Sequence, residues 1–137
     1  MRFFDAFAIS GSGLTAERLR LDLIANNLAN VHSTRTAEGG PYRRQVPVFA
    51  QHLEAARGGF AGAGVVVEAI LQDESPPIKV LDPGHPDADQ DGYVNYPNIN
   101  VANEMVDMIG ASRAYEANAT VFEAAKELAQ RALDLGR

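Results

Sequence analysis

The sequence predicts a mainly α chain, with long N- and C-terminal helices packing as a coiled coil and a small β-rich and loop insert between them. Three observations point there. Phe7, Leu14, Leu21 and Leu28 recur seven residues apart near the N-terminus. From Val101 to Leu135 there is no proline, and only Gly110 breaks the run. The stretch between these segments carries every proline of the chain and alternates turn residues with β-branched ones.

Residues of roughly 3–30 read as the first helix. Leu14, Leu21, Ile24, Leu28 and Val31 form a stripe at helical spacing, with Glu17, Arg18, Arg20 and Asp22 elsewhere on the helix. Arg18 and Asp22 are an i,i+4 pair. Gly11 and Gly13 each cost about 1 kcal/mol relative to alanine inside a helix. The first turns are therefore expected to order only when something packs against them. The stripe runs into Ala25-Asn26-Asn27-Leu28-Ala29-Asn30. Asparagine amides compete for backbone hydrogen bonds and favour helix ends, so this cluster marks a helix end with backbone groups to satisfy.

The insert follows. Val31 to Pro41 is a loop rich in Ser, Thr and Gly. Tyr42 to Leu53 leans towards strand, but Pro47 demotes it to an edge strand at best. Gly58 to Gly64 reads as a flexible turn before a better strand, Val65 to Leu71. Ile78 to Leu81 reads as a short strand, and Asp82 to Ile99 as a long loop. By this reading the chain divides into residues 1–32, 33–97 and 98–137.

The last segment carries Val101, Met105, Met108, Ser112, Tyr115, Ala119, Phe122, Ala129 and Leu133 at alternating spacings of three and four, with only position 126, a lysine, out of pattern. Val121, Leu128 and Leu135 run beside them. Asn98 or Asn100 can cap the start, and Glu104 and Asp107 suit the positive end of the helix dipole. About 35 residues at 1.5 Å each give a helix of roughly 50 Å. Two such helices cannot bury their stripes on a small β insert, so they pack on each other or on copies and relatives. As an isolated chain they have little to bury against. Both termini are expected to be largely disordered before assembly and to become helical when neighbours cover the stripes.

Composition narrows the function. The 137 residues fit one domain, or one small domain with long extensions. With no cysteine there are no disulfides or thiolate metal sites. The net charge of −6 argues against nucleic acid or an anionic membrane as main partner. Seven Arg against five Asp/Glu give residues 1–57 a charge of +2, while five Lys/Arg against thirteen Asp/Glu give residues 58–137 a charge of −8. Two readings stand open: solvated helix faces, or complementary surfaces that steer one subunit's N-terminal half to another's C-terminal half. No run approaches the length of a membrane helix. Met1-Arg2-Phe3-Phe4-Asp5 opens no signal peptide. The chain is expected to be made in the cytosol and either stay there or leave without a cleaved signal.

No constellation supports an enzyme or a cofactor. Asp87, Asp89, Asp91 and Gly92 match the opening of an EF-hand loop, but position 12 falls on Asn98 and prolines replace the flanking helices. An acidic solvated turn is the reading adopted. The Gly58–Gly64 run lacks a P-loop ending. His32, His52 and His85 have no metal-ligand spacing.

The asparagine cluster is similar to the N-terminal signature of the bacterial flagellar rod and hook axial family. Gly39-Gly40-Pro41-Tyr42-Arg43-Arg44-Gln45, Asp91 to Asn100, and Asn103-Glu104-Met105-Val106-Asp107-Met108 with Ala111 to Asn118 resemble proximal-rod members of that family. The resemblance spans nearly the whole chain in order, with Arg57 to Gln72 the least family-like part. It implies a structural subunit of the proximal rod of the flagellar basal body, which transmits torque and lines the export channel with its terminal helices. Implied partners are other rod proteins, the rod-base adaptor to the membrane ring, and the flagellar type III export apparatus. No nucleic acid and no direct membrane insertion are implied. The implied location is the periplasm-spanning rod. The expected subunit-interface residues are Leu14, Leu21, Ile24, Asn26, Asn27, Leu28, Asn30, Met105, Met108, Tyr115, Phe122 and Leu133. Asn26, Asn27 and Asn30 are expected to bond backbone of the same or adjacent subunits. The alternative is a free-standing helical-hairpin binding module, including a calcium-responsive one.

Overall fold

The computed structural model describes the backbone of residues 2–56 and 59–135, and side chains within it apart from those of residues 2–4 and 53–62. Arg57 and Gly58, which open the least family-like stretch and the glycine run, lie outside the described residues, as do Met1, Gly136 and Arg137. The element order is α1 (Arg2–Ala29), β1 (Gln45–Ala56), β2 (Gly59–Gln72), β3 (Ile78–Leu81), β4 (Tyr93–Tyr96) and α2 (Val101–Leu135). The two long helices pack antiparallel: Gly13 faces Asn118, Phe7 stacks edge-on against Phe122 with ring centroids 5.0 Å apart, and Asn27 bonds Glu104. No helix among the described residues is long and apolar enough to cross a membrane.

The α1 helix runs through both glycines without a break. Something does pack there. A Cβ on Gly13 would stand 3.0–3.1 Å from the Asn118 side chain, so its bare backbone lets α2 approach closely. At the far end of α1, the Asn30 amide N–H and the Asn30 Nδ2 both donate to the Asn26 carbonyl, at 3.1 and 2.9 Å. The side chain thus helps to close the helix. Asn100 caps α2, its Oδ1 accepting from the amides of Ala102 and Asn103 at 3.0 and 3.2 Å.

The side of α2 turned towards α1 differs from the apolar stripe in the sequence. Its buried residues are Glu104, Ala111 and Ala125, with Met108, Asn118, Phe122 and Ala129 partly covered. Val101, Met105, Tyr115 and Leu133 stand exposed instead, Leu133 at 74%. Small residues win the inner line because they let two backbones come close, whereas large ones would hold them apart.

The insert holds two antiparallel two-stranded sheets, β1–β2 and β3–β4. Pro47 lies inside β1, opposite Ile70. In a two-stranded ribbon each strand has a free edge, so a missing N–H need break no ladder bond. The glycine run is strand rather than flexible turn: β2 begins at Gly59 and pairs across β1, with register shifts at Val48/Phe49 and His52/Leu53. The stretch read as one long loop, Asp82 to Ile99, contains β4, whose Val94 is fully buried and pairs with Val80. A four-residue strand flanked by turns has too little periodicity to declare itself.

Gly64 seats the ribbon on α1. Its φ of +120° suits glycine, and a Cβ there would overlap Ser12 Oγ. That hydroxyl donates to the Ile9 carbonyl at 2.7 Å and accepts from the Val65 amide at 3.0 Å. Gly64→Ala is expected to lift the ribbon from α1 and cost about 2 kcal/mol or more. Hydrogen exchange at the Val65 amide measures it: protection should fall in the variant while protection along the middle of α2 persists.

Candidate functional site: the helix junction and the outer helix face

The C-terminal turn of α1, the start of β1 and the first turns of α2 meet around one amide. Asn27 is 1% exposed and Glu104 is 1% exposed. Asn27 Nδ2 donates to the Gln45 carbonyl at 2.9 Å and to Glu104 Oε2 at 3.0 Å. Its Oδ1 accepts from the Gln45 amide at 2.9 Å and the Tyr42 hydroxyl at 3.1 Å. Both donors and both acceptor positions of the amide are therefore used. Arg44 Nε donates to Glu104 Oε1, so the buried carboxylate has a charged partner. The guanidinium also reaches Asp107 Oδ2 at 3.4 Å, and Arg20 reaches Asp107 Oδ1 at 3.7 Å.

Burial pushes the Tyr42 phenol above its ordinary 10.0, and the nearby Glu104 charge adds to the effect. Asp73, whose amide donates to the Arg44 carbonyl at 2.8 Å, is held below the usual carboxylate value by the hydroxyl and backbone N–H of Ser75.

A second, more exposed clasp joins the loop after α1 to the β3–β4 turn. Asp87 accepts from Thr34 Oγ1 at 2.8 Å and pairs with Arg35. Tyr96 meets His32 and His85 edge-on, each with centroids 6.2 Å apart. Asp89 Oδ1 accepts from the amides of Asp91 and Tyr93 at 3.0 and 2.8 Å, and Gly92 takes a φ of +83°. Two of the three EF-hand-like carboxylates thus act within the chain: Asp89 organises its own turn and Asp87 ties that turn to the loop after α1. Among the described residues no three His, Asp or Glu side chains gather as metal ligands.

The residues expected at a subunit interface fall into three groups. Ile24 and Asn27 are buried inside the chain, and Asn27 takes its backbone partner from the same subunit. Leu14, Leu21, Leu28, Asn30, Met108 and Phe122 are half-buried. Asn26, Met105, Tyr115 and Leu133 are exposed. Beside the exposed members of α2 stand Val106, Ile109, Val121, Leu128 and Leu135, all exposed. Sequence reasoning missed Glu104, Arg44 and Tyr42 as members of the junction. The signal for Glu104 was its spacing: it precedes Ala111, Asn118 and Ala125 at seven-residue steps.

Asn27→Ala strands the Tyr42 hydroxyl, both backbone groups of Gln45 and one oxygen of a buried carboxylate. It is expected to cost about 3 kcal/mol in urea unfolding, more than Asn26→Ala on the exposed side. Tyr42 supplies a pH test. Its folded-state value is raised, so its contribution is fully present below the unfolded value of 10.0 and lost as pH rises through the folded one. Stability of the parent chain should drop more steeply than that of Tyr42→Phe above about pH 10 in urea titrations.

Comparison with known proteins places this geometry in context. Residues 7–35 match the model described as flagella basal body rod protein. Residues 90–135 match the one described as flagellar basal body rod FlgEFG protein C-terminal. The chain is 46% identical to the flagellar basal-body rod protein FlgC of Borreliella burgdorferi, over 97% of both chains. It is 41% identical to that of Escherichia coli O6:H1 and 38% identical to that of Bacillus subtilis, over the full length of each.

Proposed function

The chain belongs to the FlgC family of flagellar basal-body rod proteins and is a structural, non-enzymatic rod component; on that premise we propose that it polymerises through its terminal helices with other rod proteins. In this reading the helices line the export channel and carry torque along the proximal rod. The chain reaches its place through the flagellar type III export apparatus without a cleaved signal, and its base meets the adaptor to the membrane ring.

One observation carries the proposal. Met105, Val106, Ile109, Val121, Leu128, Leu133 and Leu135 lie exposed along a 35-residue helix whose inner side is already occupied by α1. A row of large side chains on a finished helix pair has no use within the subunit, and patches of this kind mark association surfaces. Among the described residues the two helices bury only Leu23 and Ile24 as large apolar side chains, so neighbours would supply the larger share of the helices' apolar coverage. The exposed members of the expected interface, Asn26, Met105, Tyr115 and Leu133, are proposed to meet neighbouring subunits directly. Ile24 and Asn27 would act by holding the helix pair that presents them.

Ile109→Asp tests this, because its side chain is 56% exposed in the single subunit. Helicity by circular dichroism should match the parent, secretion into the medium should persist, and incorporation into isolated basal bodies should fall by about tenfold or more, as for a charge placed in an apolar interface. Normal incorporation and motility would count against an assembly role for this face.

A further inference from the structure

The spacing of residues along the helix seam also admits a second stagger, and contacts in the structure discriminate against it. Stepping by sevens from the observed contacts sets Ala6, Gly13, Arg20 and Asn27 of α1 opposite Ala125, Asn118, Ala111 and Glu104 of α2. Slide α2 by one heptad, roughly 10 Å, and most of the seam re-forms. Phe7 meets Tyr115 in place of Phe122, Gly13 meets Ala111, and Arg20 meets Glu104. An aromatic pair, a close small-residue contact and an opposite-charge pair are all retained. No tight turn joins the helices, since residues 30–100 lie between them; the Arg44 pairs with Glu104 and Asp107 and the clasp from residues 32–35 to Asp87 and Tyr96 also oppose the slide. The small members of the seam, Ala6, Gly13 and Ala111, accept either stagger.

Asn27 does not. In the observed register its four hydrogen bonds reach Gln45, Tyr42 and Glu104 at once. In the slipped register it would fall opposite Pro97, ahead of the first turn of α2. It would lose the Glu104 carboxylate, which would face Arg20 instead, and its own Nδ2 donor would have no α2 partner. We propose that Asn27 is a register-determining residue of the helix pair, helping to set the stagger at which the outer face of α2 is presented. A single buried polar side chain can fix register in this way when the apolar contacts around it are interchangeable. The inference concerns one chain and does not rest on the rod reading.

The natural absence of cysteine makes the test direct. Two full-length reporters carry Ala6→Cys with either Ala125→Cys, paired in the observed register, or Asn118→Cys, paired only after the slide. Each is treated at high dilution with a short thiol-bridging reagent, and intramolecular bridges are counted by peptide mass spectrometry. The ratio of the two bridging rates reports register regardless of how much of the time the helices are closed. In the parent background the observed-register bridge should form faster by about tenfold or more. Adding Asn27→Leu should lower the ratio by about fivefold or more while helicity is kept. Glu104→Gln, which keeps an acceptor for Asn27 and removes the charge that Arg20 would meet, should hold the parental ratio. Where Asn27→Leu loses helicity, Asn27→Ser, with one donor and acceptor left, should give an intermediate ratio. A ratio that stays within about twofold of the parent in the Asn27 variants, or a parental ratio already near one, would overturn the proposal.

Discussion

The architecture depends on a polar group that had to be buried where three elements converge. A side-chain amide with no route to water is tolerated only when its donors and acceptors are met. Asn27 meets them with one backbone residue, one phenol and one carboxylate, which between them come from β1, the loop before it and α2. Because Glu104 is equally buried, it in turn requires Arg44. The chain leaving α1 is thereby tied to the start of β1 and to the start of α2 at one point. Elsewhere the helices bury Leu23 and Ile24 beside the small Ser10, Ala16, Ala111 and Ala125, with Phe7 edge-on to Phe122.

That division of labour suits a subunit of a polymer. The hydrophobic groups that would ordinarily fill a core are turned outward on α2 and on the strands. The intramolecular seam uses alanine, glycine and a few hydrogen bonds. Specificity inside the subunit is polar and local, while much apolar surface stays exposed on the single chain. The β1–β2 ribbon follows the same logic, since it docks on α1 through Gly64 and the Ser12 hydroxyl more than through large side chains.

Much of the architecture was legible before any coordinates. Both helices, the asparagine end of α1, the Asn100 cap and β3 follow from periodicity and capping chemistry. Two features of the insert were not. The glycine run reads as turn because glycine weakens strands locally, yet pairing along β1 and the fit of Gly64 against α1 outweigh that preference. β4 is too short to show alternation, and its Val94 is buried by its surroundings rather than by pattern.

The sequence by itself determined that two long helices flank a small β insert, and that the α1 helix ends in asparagines with hydrogen bonds to make. It also determined the family, through motifs in order along nearly the whole chain. What it could not determine is which face of α2 turns inward, because hydrophobicity favours its large side chains while the contact with α1 buries Glu104, Ala111 and Ala125. Nor could it foresee that Glu104, read as a favourable charge near a helix start, would be a buried partner of Asn27. Seventy-seven positions separate the two. A hydrogen bond across that distance exists only once the helices are antiparallel and in register, so tertiary structure alone decided it.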